Sequence, residues 1–181
     1  FARAQARTLD AFRRAGRPLG RLHGLPVGLK DIIDTVRIPT ENGCVRDADR
    51  VPLRDAFIVE WLKKEGAIIM GKTVTTELAF MHPGKTANPH NLAHTPGGSS
   101  QGSATFGAIP RRGILTQSPT LDTVGVFASD PAGAALLAEV LFGYDAEDAA
   151  TVPQPAPALH AAATSTPPLV PVFGFVRPPG W

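Results

Sequence analysis

Residues 56–65, AFIVEWLKKE, place Phe57, Ile58, Trp61 and Leu62 on one face of a helix. Asp55 stands where an N-cap belongs, and Gly66 stands where a helix stops. The apolar run Ala67–Met70 follows at once and suits a buried strand. A helix that turns directly into a strand must bury both against one core, which predicts an α/β layer. The same alternation occurs earlier. Residues 2–15 read as a weakly amphipathic helix ended by Gly16 and Pro18, and Pro26–Lys30 as a short strand with Lys30 at its end.

The rest of the chain is more heavily punctuated. Residues 82–104, rich in Pro, Gly, Asn, His, Ser and Thr, form a predicted long loop, a common place for functional groups. A helix is expected over 131–142, with Ser129 as its cap, Pro131 in its first turn and Gly143 beyond its end. Residues 149–168 read as an Ala/Pro-rich irregular linker and Val170–Val176 as a last strand. The expected organisation is a core over 1–148 followed by a linker and terminal strand over 149–181.

Hydrophobic residues make up 43% of the chain and charged residues 19%, as in a soluble globular protein. A formal charge of +2, with no Lys/Arg stripe interleaved with aromatics, argues against an electrostatic nucleic-acid binder. No apolar run approaches the ~20 residues that span a bilayer. The opening residues are basic but lack the apolar stretch of a signal peptide. The expectation is a cytoplasmic chain with no membrane partner. It does not begin with Met and reads as a fragment or a processed product. Cys44 stands alone, so it forms no intrachain disulfide, marks no metal site and reads as a small buried residue.

The first serine in the chain is Ser99, within Thr95-Pro96-Gly97-Gly98-Ser99-Ser100-Gln101-Gly102-Ser103-Ala104. Gly97 and Gly98 permit positive φ and close backbone approach to a ligand. Successive N–H groups in such a loop can face an anion or a carbonyl oxygen, and its hydroxyls can relay protons. A polar surface turn has the same composition. The balance shifts when the loop is read with Gly24-Leu25-Pro26-Val27-Gly28-Leu29-Lys30-Asp31-Ile32-Ile33-Asp34-Thr35. In this order the pair resembles the amidase-signature family. Gly66–Thr73 (GAIIMGKT), Glu77, Asn88-Pro89 and Gln117–Gly125 add to the likeness, which runs over the whole chain.

The resemblance implies an α/β fold with a mixed β-sheet flanked by helices. It also implies hydrolysis of a small-molecule carboxamide by a Ser–cis-Ser–Lys triad, with no metal or cofactor. Lys30 matches the catalytic lysine and Ser99 the bridging serine; Gly97, Gly98 and Ser100 belong to the substrate-facing loop. The chemistry requires a lysine whose burial lowers its pKa far enough to act as a base.

The chain departs from the family where the nucleophilic serine should be. No serine stands between Ser103 and Ser118, and Ser118 fits a later family motif. The sequence follows the glycine–serine loop to Ala104. From Thr105 it reads like the stretch that normally follows the nucleophile strand. The missing piece would carry the nucleophile and the oxyanion-hole N–H groups; loss of one such donor alone costs about 10²–10³ in rate. An amidase impaired or inactive for want of this segment is therefore expected, with a non-catalytic remnant or ligand-binding pseudoenzyme as the alternative. Ser100 and Ser103 are poor substitutes, because no oxyanion segment follows them. Within the family, Val74–Phe80 departs from the residues typical of glutamyl-tRNA amidotransferase A subunits, which favours a stand-alone amidase ancestor.

Three other patterns are present and fail on their surroundings. Gly66–Thr73 satisfies the GxxxxGK[ST] pattern, but a helix precedes it and its interior reads as a strand rather than an open phosphate loop. Gly98–Gly102 satisfies GxSxG, but the preceding Asn88–Pro96 is a poor strand. His82, His90 and His94 lie in a Pro-containing loop and read as solvated rather than metal-ligating.

Overall fold

The computed structural model describes residues 1–80, 82–87, 91–94, 108–166, 174 and 177. Its elements are helix α1 (Ala2–Arg14), strand β1 (Pro26–Lys30), helix α2 (Phe57–Lys64), strand β2 (Ile68–Thr73), helix α3 (Pro131–Leu141) and helix α4 (Leu159–Thr164). β1 and β2 form a two-stranded parallel sheet, with Pro26 opposite Ile68 and Lys30 opposite Thr73; the register slips by one residue after Val27. An antiparallel bridge joins Ile33 to Ile114. The α/β architecture expected from the sequence is present, with helices beside a small sheet.

The unit α2–Gly66–β2 forms as its sequence dictates. Gly66 adopts φ +82°, a conformation that favours glycine, and a Cβ there would sit 3.1 Å from the His23 Cα. Phe57, Ile58, Val59 and Leu62 are buried, and they pack with Leu22, Leu29, Ile69, Ile109, Val140 and Leu141 in one core. Val59 is also buried although it lies off the predicted face. Trp61 is only half-buried; its ring meets Phe57 edge-on at 5.8 Å.

Some local expectations are corrected. Asp55 does not cap α2: the N-cap is Ala56, and the Asp55 carboxylate instead accepts from the Val36 N–H at 2.8 Å and the Lys63 ammonium at 2.6 Å. Asp130, not Ser129, caps α3 by accepting from the Gly133 N–H at 2.7 Å. β2 begins at Ile68 and runs on to Thr73, with Met70 turned outward and 58% exposed. Residues 159–164 of the expected linker are helical. The expected strand over 170–176 lies outside the described residues apart from Gly174.

After Ala108 the chain stitches the layers together. The Asp34 N–H donates to Gly113 O, Leu115 N–H to Ile32 O and Phe57 N–H to Arg112 O. The Arg112 guanidinium reaches Asp145 at 2.6 Å and Glu60 at 2.8 Å, which ties α2 to the segment after α3. No helix among the described residues is long and apolar enough to cross a membrane.

Candidate active site

Lys30 closes β1, and the next residue fixes the turn that follows. The Asp31 N–H donates to Thr73 O, which extends the ladder by one residue. Asp31 O accepts from the Asn42 N–H, and its carboxylate accepts from the Glu41 N–H at 3.2 Å. The loop over 38–44 is thus folded back against the end of the strand that carries Lys30.

A cleft of 560 Å³ runs from Leu25 to Lys30 and continues past Thr73, Val74, Thr75 and Thr76. Its other wall is residues 124–130, and Ile58, Leu62, Leu137 and Leu141 form its floor. The volume is within the range of ligand pockets, and its lining is mostly apolar. Lys30 is half-buried here, and burial lowers its pKa from the ordinary lysine value. That is the direction a lysine base needs. Thr75 and Thr76 line the same end of the cleft, and their Oγ1 atoms are buried without a hydrogen-bond partner among the described residues. A buried hydroxyl left unpaired costs about 1–3 kcal/mol. Their sequence, Val-Thr-Thr, carries no signal of this; burial alone reveals it.

A second lysine is more strongly perturbed. Burial pushes the Lys72 pKa down to about 8, against the opposing pull of Asp31 and Asp34. Its ammonium donates to the Ile33 carbonyl. Lys72 does not line the cleft, whereas Lys30 does. Lys30, not the more strongly shifted Lys72, is therefore the lysine that lines the cleft. The strand through Lys72 also disposes of the phosphate-loop pattern, since the residues between its glycines are laddered to β1.

Ser99, Ser100, Gly97 and Gly98 lie outside the described residues, as do the GxSxG match and His90. The later motif is described: Gln117 and Ser118 N–H groups donate to the Asp122 carboxylate, and the Gln117 side-chain amide reaches Leu78 O at 2.8 Å. The Gln117–Asp122 turn therefore rests on the short helical turn Glu77–Ala79, where Leu78 and Ala79 adopt positive φ.

The amidase family model matches residues 1–106, more than half of the chain. The chain belongs to the amidase family. It is 34% identical to the A subunit of the Salinispora tropica glutamyl-tRNA(Gln) amidotransferase, over 87% of this chain and 40% of that protein. Among solved structures, the peptide amidase of Stenotrophomonas maltophilia is 28% identical with a TM-score of 0.77, covering 87% of this chain and 42% of that one. A structure described as a vestigial protein complex that reveals the origins of an s-triazine catabolic enzyme is 26% identical with a TM-score of 0.80, covering 89% and 44%.

The amidase chain thus spans about two fifths of the length of these relatives. The match to the Salinispora protein extends over 198 positions. Since 87% of 181 residues is about 157, about 41 of those positions face no residue of this chain.

Proposed function

We propose that this chain carries the lysine half of an amide C–N hydrolase and lacks the nucleophile half. Lys30 is the base at the head of the cleft and Ser99 the relay, as the family resemblance implies. The observation that carries this reading is the placement of Lys30, half-buried with lowered pKa, at the end of β1 in a cleft of 560 Å³. About 41 positions of the Salinispora relative have no counterpart. The family match ends at residue 106, beside the break read at Ala104–Thr105. Both support the loss of the nucleophile segment. Without a nucleophile and oxyanion donors, the chain by itself hydrolyses no carboxamide.

The alternative, a remnant that binds a carboxamide without turning it over, is favoured by one feature: the Thr75 and Thr76 hydroxyls, buried and unpartnered among the described residues at the Lys30 end of the cleft. The sequence preference for a stand-alone ancestor stands beside curated relatives that are named as subunits of an amidotransferase, so a protein partner enters the proposal as well. The test is a peptide map across Ala104–Thr105 together with fluorophosphonate labelling of the purified chain. A contiguous peptide and no labelling are expected. Labelling at Ser99, Ser100 or Ser103, or extra mass with a serine-bearing peptide between Ala104 and Thr105, overturns the proposal.

A further inference from the structure

Charge is unevenly spread along the chain. Five arginines and one aspartate give residues 1–17 a charge of +4, and the total of +2 leaves −2 for everything that follows. The two regions also treat their arginines differently. Arg21, Arg50, Arg54, Arg111 and Arg112 are each paired with a carboxylate. Arg3, Arg7 and Arg14 of α1 form no ion pair among the described residues, and neither does Asp10, the one acid of the helix. The Arg14 Nε–H donates only to the Asp10 carbonyl, at 3.2 Å.

The helix sorts these residues by face. At 100° per residue, Arg3, Arg7 and Arg14 lie within about 40° of one another, in a row about 16 Å long. The opposite face is the one held to the sheet: Gln5 bonds to Ile69 of β2, and Ala2, Ala6 and Leu9 beside it are half-buried. The row therefore points outward, and its three side chains are exposed. The stability of the helix itself explains only part of it. Arg13 and Arg14 sit in the last turn, where a cation complements the helix dipole. Arg3 sits in the first turn, where the dipole opposes it and no acid compensates. Arg3 and Arg7 are like charges four residues apart, an arrangement that disfavours a helix.

We propose that the row Arg3–Arg7–Arg14 is a docking site for a short acidic segment of a partner protein. Charge complementarity argues for this occupant. The guanidinium fork matches carboxylates and phosphates alike. A nucleic acid or an anionic membrane, however, extends beyond the row and meets the negative remainder of the chain. No aromatic stands in the row to stack on a base, since Phe12 lies on another face beneath the Arg17 guanidinium, at 4.9 Å. The apolar face of α1 is turned to the sheet, which leaves none to enter a bilayer. A local run of carboxylates meets the arginines alone.

The test measures binding of the whole protein to a capped oligoglutamate of about eight residues, enough to span the row at ~3.3 Å per residue. Single-stranded RNA and phosphatidylserine vesicles are the rival ligands. Arg3→Gln/Arg7→Gln/Arg14→Gln is compared with Arg37→Gln/Arg46→Gln/Lys85→Gln, which removes the same charge from exposed loop positions. Glutamine is a good helix former, so α1 is kept. Expected is saturable binding of oligoglutamate that weakens with salt. It should be at least tenfold weaker for the α1 variant and within twofold of the unaltered protein for the loop variant. No binding, or equal losses in the two variants, overturns the proposal. So does tighter binding of RNA or vesicles through the same three arginines, which would assign the row to phosphate. The outcome depends neither on Lys30 nor on the break at Ala104–Thr105, because the readout is binding at α1 and not hydrolysis.

Discussion

Lys30 and Lys72 occupy neighbouring strands and meet different fates. Both have pKa values lowered by burial, yet only Lys30 lines the cleft. Lys72 is a structural lysine at a cost. With a folded-state value of about 8 against 10.5 unfolded, the unfolded chain binds the extra proton between those pH values. Stability therefore rises as pH is raised from about 8 toward 10.5, and below pH 8 the penalty of burying the charge is fully present. Lys72→Met is expected to remove this rise. The Ile33 carbonyl it abandons still accepts from the Thr35 and Thr40 hydroxyls. Urea unfolding of both proteins at pH 7.5 and 10 measures the difference; an unchanged difference between the two pH values contradicts it. From the sequence, the place of Lys30 at the end of β1 was legible because the segment reads as a short strand that closes on it. The burial of Lys72 was not, since GKT reads the same whether its lysine faces core or solvent. The caps show the same limit. Asp55 and Asp130 are both acidic residues near helix starts, yet only Asp130 turns its carboxylate to a first-turn N–H, because Asp55 is drawn away by Val36 and Lys63.

At the level of elements, patterning over several residues was a better guide than single positions. The four-residue apolar run after Gly66 identified β2, and the apolar spacing in AFIVEWLKKE identified α2. What patterning missed were the joints made by distant segments. Gln5 is an ordinary polar residue of α1 by sequence, yet it is the contact that completes the edge of β2. α1 has no buried residue. Gln5→Ala removes two hydrogen bonds, a loss of about 1–2 kcal/mol. Amide exchange across α1 is expected to accelerate at least tenfold while α2 is unaffected; equal effects in both helices would mean that α1 is not separately anchored. Gly113 is a second such joint. It adopts φ +80°, and a Cβ would lie 2.6 Å from the Ala56 Cα, at the point where residues 108–115 cross the start of α2. Gly113→Ala is expected to destabilise the fold by more than about 1 kcal/mol in chemical denaturation. A neutral result would show that this crossing yields without strain.

Among the described residues of the molecule, large apolar side chains are left in solvent, Leu53, Phe80, Leu121 and Phe127 among them. Such exposure ordinarily marks an interaction surface or an incomplete core. It is expected on the proposed loss of the nucleophile segment, because a segment that crosses a sheet contributes strand edge and apolar cover together with its chemistry. The consequence is testable in one chain. If the Salinispora segment that follows the counterpart of Phe106 is inserted after residue 106 here, it should occupy the cleft in cis. Binding of an apolar dye should then fall severalfold, and the thermal midpoint should rise by several degrees, since each kcal/mol gained moves a chain of this size by about 2–4 °C. If dye binding and midpoint stay as they are, the exposed surface is intrinsic to this fold and the proposed loss of a segment does not account for it.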